Sequence, residues 1–261
     1  MLIMIRGAGD LATGVALRLY RSGFSVVMTD LERPMAIRRT VAFSEAIVHG
    51  ETSVEGVVAR RAENAAQVRK YLTEGIVPVL ADPECVSKAE LAPDALVDAI
   101  LAKRNLGTKI TDAPIVVGVG PGFTAGEDCH AVVETMRGHT LGRAIYKGGA
   151  LPNTNIPGLI GGFAGERVLR APKTGEFKAA RRIGDTVAAG DIAGYVDGEP
   201  MYCTIGGVLR GLIADGTHVT KGLKSGDVDP RGKKEYCDTV SDKALAVAGG
   251  VLEAILHLRK G

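Results

Sequence analysis

The sequence predicts a parallel α/β sheet followed by a small β domain and a closing helix, and three observations support that class. A short apolar run at residues 2–5 passes through a glycine turn into an amphipathic segment. Apolar runs and helical patterns then alternate as far as residue 101. Beyond residue 171 a glycine-spaced segment occurs twice, at an offset of 32 residues.

In order along the chain, residues 2–5 form a strand, and Gly7, Ala8, Gly9, Asp10, Leu11 and Ala12 satisfy G-x-G-x-x-[GA]. Val15, Ala16, Leu19 and Tyr20 then fall at helical spacing over 13–22. A second strand, 25–29, ends in Asp30, about 21 residues past Gly9, where a ribose-binding carboxylate sits in a dinucleotide-binding sheet. A pyrophosphate would rest on the N–H groups that open the helix. Asp10 opposes this, because a carboxylate in the loop repels a second anion unless a cation bridges them or Asp10 turns away to cap the helix. An altered nucleotide site is the alternative. Arg33, Arg38 and Arg39 read as a solvated basic helix face.

Residues 46–48 and 54–59 continue as strands, 62–74 as a helix with Ala65, Ala66, Val68 and Leu72 inward, and 76–80 and 95–101 as buried strands. Residues 1–112 are thus a Rossmann-like nucleotide-binding domain with right-handed crossovers. Asp82 and Asp98 lie at the strand ends where open sheets bind ligands.

Residues 113–165 form a glycine-rich loop and connecting module. Strand 115–119 runs into Gly118, Gly120, Gly122 and Gly126, a composition that lets successive N–H groups line an anion-accepting concavity. If 137–143 is extended, Arg137, His139 and Arg143 face one way. Cys129 and His139 are the candidate catalytic groups. A Cys129 thiol that accepts sulfur or selenium needs a pKa lowered by Arg137 or His139. The Cys129-His130 pair lacks the spacing of a metal site, and none is expected. The loop lacks the lysine of a P-loop, and G-x-S-x-G and HExxH are absent, so kinase and hydrolase readings drop out. Residues 147–158 read as an ordered loop crossing between domains.

In the β domain, 166–231, Gly175, Gly184, Val187 and Gly190 recur as Gly207, Gly216, Val219 and Gly222. This glycine spacing resembles the barrel-sandwich hybrid of biotinyl and lipoyl carrier domains. The hairpin at Asp197, Gly198, Glu199 and Pro200 has no lysine, and none occurs between Lys178 and Lys221, which implies a docking module without a swinging arm. Residues 232–261 close the chain with a helix whose stripe is Leu245, Ala248, Leu252, Ile255 and Leu256, capped by Ser241 or Thr239. It packs back on the first domain or on a second subunit.

Thirty-two basic residues against 30 acidic, spread along the chain, leave no footprint for nucleic acid. Four dispersed cysteines fit reduced thiols. No signal segment or membrane span is evident, and a cytoplasmic protein is expected.

Several motifs together resemble the YqeB family of accessory proteins for selenium-dependent molybdenum hydroxylases: residues 7–14, 118–123, Glu134-Thr135 with 137–143, and Asp227-Val228-Asp229-Pro230-Arg231. The Rossmann part is similar to the XdhC-type chaperones. The resemblance spans essentially the whole chain and implies a maturation role, in handling, sulfurating or selenating, or inserting a molybdenum cofactor. The implied partners are a molybdenum hydroxylase or its maturation machinery and a small nucleotide ligand, most simply a molybdopterin dinucleotide, with NAD(P) the ligand of the oxidoreductase alternative. Gly7, Gly9, Asp10, Ala12 and Asp30 would hold the nucleotide, with Gly118, Gly120, Gly122, Arg137 and Arg143 holding a second anionic group. An NAD(P)-dependent oxidoreductase and a non-catalytic docking scaffold are the alternatives.

Overall fold

Ile3, Met4 and Ile5 are fully buried although they point alternately to opposite sides, so the strand they occupy, Leu2–Arg6 (β1), is covered on both faces. The structure is a computed structural model and describes residues 1–154 and 157–259. Helix Asp10–Arg21 (α1) returns the chain to Ser25–Asp30 (β2), parallel to β1. Next come helix Glu45–His49 (α2), strands Glu51–Val54 (β3) and Val57–Ala62 (β4), and helix Ala65–Thr73 (α3). Val77–Ala81 (β5), the short helix Lys88–Leu91 (α4) and Ala95–Asp98 (β6) follow. Ile115–Val119 (β7), Ala131–Val133 (β8) and Ala144–Ile145 (β9) complete a nine-stranded sheet of order β3-β4-β5-β2-β1-β6-β7-β8-β9.

The sheet is parallel from β4 to β8 and antiparallel at both edges. From β1 the chain passes to β2, jumps to the edge at β3 and returns inward through β4 to β5. It then crosses to β6 on the other side of β1 and works outward to β9, so the order reverses between β1 and β6. A doubly wound sheet opens its ligand crevice at such a point, beyond the carboxyl ends of the strands.

Several expectations are corrected. The strand expected over 46–48 is helix α2, whose apolar run is too short to declare a period. The run at 54–59 is split by a turn at Glu55 and Gly56, both at positive φ, which makes β3 and β4 a hairpin. The strand expected over 95–101 ends at Asp98, and residues 99–114 leave the sheet. The connecting module expected over 113–165 instead supplies β7, β8 and β9. The crossing loop expected over 147–158 includes residues 155 and 156, which lie outside the described residues.

Helix Asp242–Leu258 (α5) belongs to the same unit as the sheet, and Ser241 caps it by accepting from the Ala244 N–H. Its buried stripe is Ala244, Val247, Ala248, Val251, Ala254 and Ile255, whereas Leu245 and Leu256 are exposed. The stripe departs from the leucines because close approach selects small residues. A β-carbon at Gly14 of α1 would lie 2.7 Å from that of Ala244, and one at Gly250 would run into the Gly142 carbonyl.

A second unit comprises residues 35–41 and 155–239. Its strands are Val168–Arg170 (β10), Gly175–Ala179 (β11), Thr186–Val187 (β12), Ile192–Val196 (β13), Glu199–Tyr202 (β14), Gly207–Leu212 (β15), His218–Val219 (β16) and Lys224–Asp229 (β17). They form two four-stranded sheets, β10-β17-β15-β12 and β14-β13-β11-β16. The 32-residue repeat is a repeat of structure: β11, β12 and β13 recur as β15, β16 and β17. The two copies interlock, since Val187 of β12 pairs with Gly207 while Val219 of β16 pairs with Gly175.

Arg38 is buried in this unit and donates to the carbonyls of Tyr236 and Thr239, and Arg39 donates to that of Leu212, which corrects the solvated basic face expected for them. The 227–231 motif forms an ionic ladder. Asp227 bridges Arg167 and Arg210, and Asp229 bridges Arg210 and Arg231, with both carboxylates buried. Burial pushes the Asp229 carboxyl up, but its bonds from the Arg231 side chain and N–H, with the Arg210 charge, outweigh this and hold it below the usual range.

Two predictions follow from this packing. Gly250→Ala should destabilise the protein by about 1–3 kcal/mol through overpacking, whereas Gly249→Ala, with nothing within 4 Å of the added carbon, should stabilise it by about 0.5–1 kcal/mol; paired denaturant melts decide this. For the ladder, a carboxyl whose folded pKa is depressed contributes fully above its unfolded value of about 3.9 and loses that contribution as pH falls through the folded pKa. Asp229→Asn should therefore cost about 3–5 kcal/mol at pH 7, with the gap to the parent closing as melts are repeated below pH 4.

Candidate functional site

At the reversal point, β1 delivers the chain into the loop 7–9. Gly7, at φ +103°, donates its N–H to the Thr29 carbonyl, and a side chain there would abut the backbone of Ala99 and Ile100. The Ala8 N–H donates to Asp30 Oδ2 at 2.7 Å, and the Ala8 carbonyl accepts from the Thr13 hydroxyl and the Ser44 N–H. Gly9 has nothing within 4 Å of where a side chain would begin. Among the described residues, no protein group accepts from the N–H of Gly9, Leu11 or Ala12 at the head of α1. Asp10 is the first residue of that helix, and its N-cap, Gly9, supplies no side-chain cap.

Asp30 stands at the end of β2 as the spacing predicts, but both its oxygens are engaged, one by Ala8 and the other by the Leu31 N–H. Burial raises its pKa and these two donors oppose the rise. Its carboxylate thus ties down the glycine loop in the orientation where a ribose partner was expected.

Sequence reading singled out Asp98 at its strand end but missed the charge cluster it forms with Arg6 beside this loop. Arg6 ends β1 and is register-paired with Asp98, which ends β6; both are buried, at 5% and 2% exposed. Arg6 donates to the carbonyls of Pro83 and Leu106 and to the Thr108 hydroxyl, and lies 3.5 Å from Asp98 Oδ2. Thr108 donates to that same oxygen at 2.6 Å, and the Ile100 N–H to the other at 3.2 Å. The signal available beforehand was an arginine closing a wholly apolar strand.

The second glycine loop departs from the expected anion cradle. The Gly120 N–H donates to the Val133 carbonyl, Thr124 to the Asp128 carboxylate, Ala125 to the Gly148 carbonyl and Gly126 to the Cys129 carbonyl. Gly118 is a glycine because the Phe123 ring lies against it, and Gly122 because the Arg104 backbone does. Gly120, Thr124, Ala125 and Gly126 thus use their donors within the protein, and among the described residues only the N–H groups of Gly122 and Phe123 in this loop find no acceptor.

Residues 136–142 are bends and turns, with Gly138 and Gly142 at positive φ, so the two-residue period expected to align Arg137, His139 and Arg143 is absent. Arg137 pairs with Asp242 at 2.7 and 2.8 Å, while His139 and Arg143 are exposed. Glu134, unremarked in sequence except as part of a motif, is buried and accepts from the N–H groups of Thr135, Met136 and Leu151.

Cys129 is fully buried, and burial pushes its thiol up to about 11, opposite to what a reactive thiol needs. All four cysteines are free and buried. Among the described residues no group of side chains is arranged to hold a metal ion, and no helix is long and apolar enough to cross a membrane.

These features define a mixed α/β protein with a large, mainly parallel sheet, a C-terminal helix and a separate antiparallel β unit. No family model matches the chain. Over 257 residues, 98% of its length, it is 50% identical to the Escherichia coli (strain K12) protein described as "Uncharacterized protein YqeB", and it spans 48% of that protein, about half the length of this curated relative. The likeness supports the YqeB family name and carries no activity with it.

Two solved structures overlap loosely. A succinylglutamate desuccinylase/aspartoacylase from Rhodobacter sphaeroides is 25% identical over 24% of this chain and 22% of its own, with a TM-score of 0.21. An aspartoacylase family protein from Mesorhizobium loti is 13% identical over 87% and 84%, with a TM-score of 0.27. Overlaps this loose carry no argument.

A thiol titrating near 11 is almost wholly protonated at pH 8. In the native protein Cys129 should react with a disulfide reagent at least about 100-fold more slowly than after denaturation. Mass mapping of the labelled cysteine checks this.

Proposed function

We propose that this protein is an accessory factor in the maturation of molybdenum hydroxylases, selenium-dependent ones included, and that it binds a nucleotide-containing molybdenum cofactor or a related dinucleotide on its large sheet. One observation carries the binding half of the reading. At the reversal point the N–H groups of Gly9, Leu11 and Ala12 find no acceptor among the described residues, at the positive end of a 12-residue helix and beside a glycine with nothing within 4 Å of where its side chain would begin. Such a group of donors fits a pyrophosphate.

The maturation half comes from the motif resemblance alone; the likeness to the Escherichia coli protein supports the family name and says nothing of the role. In a hydroxylase the cofactor supplies the redox chemistry. Here Gly9, Leu11 and Ala12 would hold its pyrophosphate and perform no chemical step. The β unit, read as barrel-sandwich-hybrid-like, serves as a docking module, its β13–β14 turn being Asp197 and Gly198 with no lysine to modify.

An NAD(P)-dependent oxidoreductase is disfavoured because the Asp30 carboxylate is engaged by Ala8 and Leu31. A docking scaffold without a small-molecule ligand is the second reading, favoured by the loop at 118–126, where Gly120, Thr124, Ala125 and Gly126 use their donors within the protein.

Mass spectrometry of whatever denaturation releases from the fresh protein should detect a pterin dinucleotide. That species should raise the melting temperature, since a ligand at 100 times its Kd stabilises by about 2.7 kcal/mol. A shift with NAD or NADP and none with molybdenum cofactor species would instead favour the oxidoreductase reading. No release and no shift with NAD, NADP, CTP or molybdenum cofactor species would leave the scaffold.

A further inference from the structure

The two glycine loops have a common neighbour. Residues 99–108 run between them across the carboxyl ends of β1, β6 and β7, and the missing side chains make room for them. A β-carbon at Gly7 would lie 3.0 Å from the Ala99 carbonyl carbon, and one at Gly122 would lie 2.6 Å from Arg104 Cα. One at Gly120 would lie 3.6 Å from Leu101 Cδ2.

Both ends of the segment are fastened by the buried pair described above. Asp98 takes the Ile100 N–H and the Thr108 hydroxyl, and Arg6 takes the Leu106 carbonyl and the same hydroxyl. Asn105 closes it from within, accepting from the N–H groups of Gly107 and Thr108 and donating to Asp128. Leu101 and Lys103 hold positive φ without being glycines, a conformation that persists only where the surroundings impose it.

A dinucleotide on a doubly wound sheet lies across the crevice, one nucleotide over each half. Here the half at Gly9 is open, and the half over β6 and β7 is filled by the chain's own backbone. We propose that residues 99–108 are a fixed strap standing in the place of a second nucleotide, so that the site accepts one nucleoside diphosphate unit and leaves whatever is attached to that unit outside the sheet. This rests on the nucleotide-binding reading above. It narrows the ligand by what the strap excludes.

Two measurements separate the parts. Amide hydrogen exchange on the full, ligand-free chain reads the strap alone. The Ile100 and Thr108 amides should be protected by about 100-fold or more over an unstructured peptide, and Thr108→Val or Asn105→Ala should lower that protection about tenfold while the α1 amides beyond the first turn stay protected. Free exchange across 99–108 in the parent overturns the inference whatever binds.

Calorimetric titration with ADP, CDP and NAD reads the ligand. NAD should bind no more than about threefold tighter than ADP, and a diphosphate should leave strap exchange unchanged. NAD binding tenfold or more tighter than ADP, or strap exchange altered on NAD binding, overturns the single-unit inference and leaves nucleotide binding standing. A protected strap with no binding of any of the three overturns the nucleotide reading and the ligand inference with it.

Discussion

A guanidinium cannot shed its charge inside a protein, so a buried arginine compels the chain around it to bring acceptors. Arg6 does this at the end of the central strand. It collects the carbonyls of Pro83 and Leu106, the Thr108 hydroxyl and the Asp98 carboxylate, groups that follow β5, lead out of β6 or end it. None of these lies near Arg6 in sequence. The sheet could form from its apolar runs alone, but the course of the segments above its carboxyl edge depends on this one charge. Because the Asp98 contact is long, at 3.5 Å, and the carbonyl contacts are near 3 Å, the neutral acceptors do most of the orienting.

Much of the fold was legible because its signals are local. The strand, glycine turn and helix over 2–21 rest on hydrophobic periodicity and on glycine's tolerance of positive φ, and both act within a few residues. The repeat was legible for the same reason, since Gly175 and Gly207, at φ +158° and +153°, take equivalent places in the two copies. How the copies pair, each lending its two-residue strand to the other, is a long-range fact that no spacing encodes.

The candidate site was less legible, and the misses share a cause. Sequence shows which donors a stretch offers but not which acceptors arrive. Residues 118–126 offer glycine-rich backbone much as 7–12 do, yet Val133, Gly148, Cys129 and Asp128 supply the acceptors there. Arg38 and Arg39 resemble surface charges until residues 35–41 are seen to join the β unit and find carbonyls from 212, 236 and 239. The 227–231 motif, which helped to mark a family, proves to be the acidic half of a buried ionic ladder. A motif specific enough to mark a family can owe its residues to packing.

The contrast between the two glycine loops locates the functional weight. In both, glycine permits a backbone turn, and in both a missing side chain admits the segment 99–108. They differ in the donors that remain. Asp30 satisfies Ala8 and so fixes the first loop without touching the residues after it, which leaves Gly9, Leu11 and Ala12 at a helix end where partial positive charge accumulates. Asp128 and the neighbouring carbonyls satisfy the second loop at Gly120, Thr124, Ala125 and Gly126. An anion arriving at the carboxyl edge therefore meets three unsatisfied donors at a helix end at one loop, and at the other only the Gly122 and Phe123 N–H groups, away from any helix end and with Gly122 against the Arg104 backbone. The asymmetry comes from where acceptors are placed, since the glycine content of the two loops is similar.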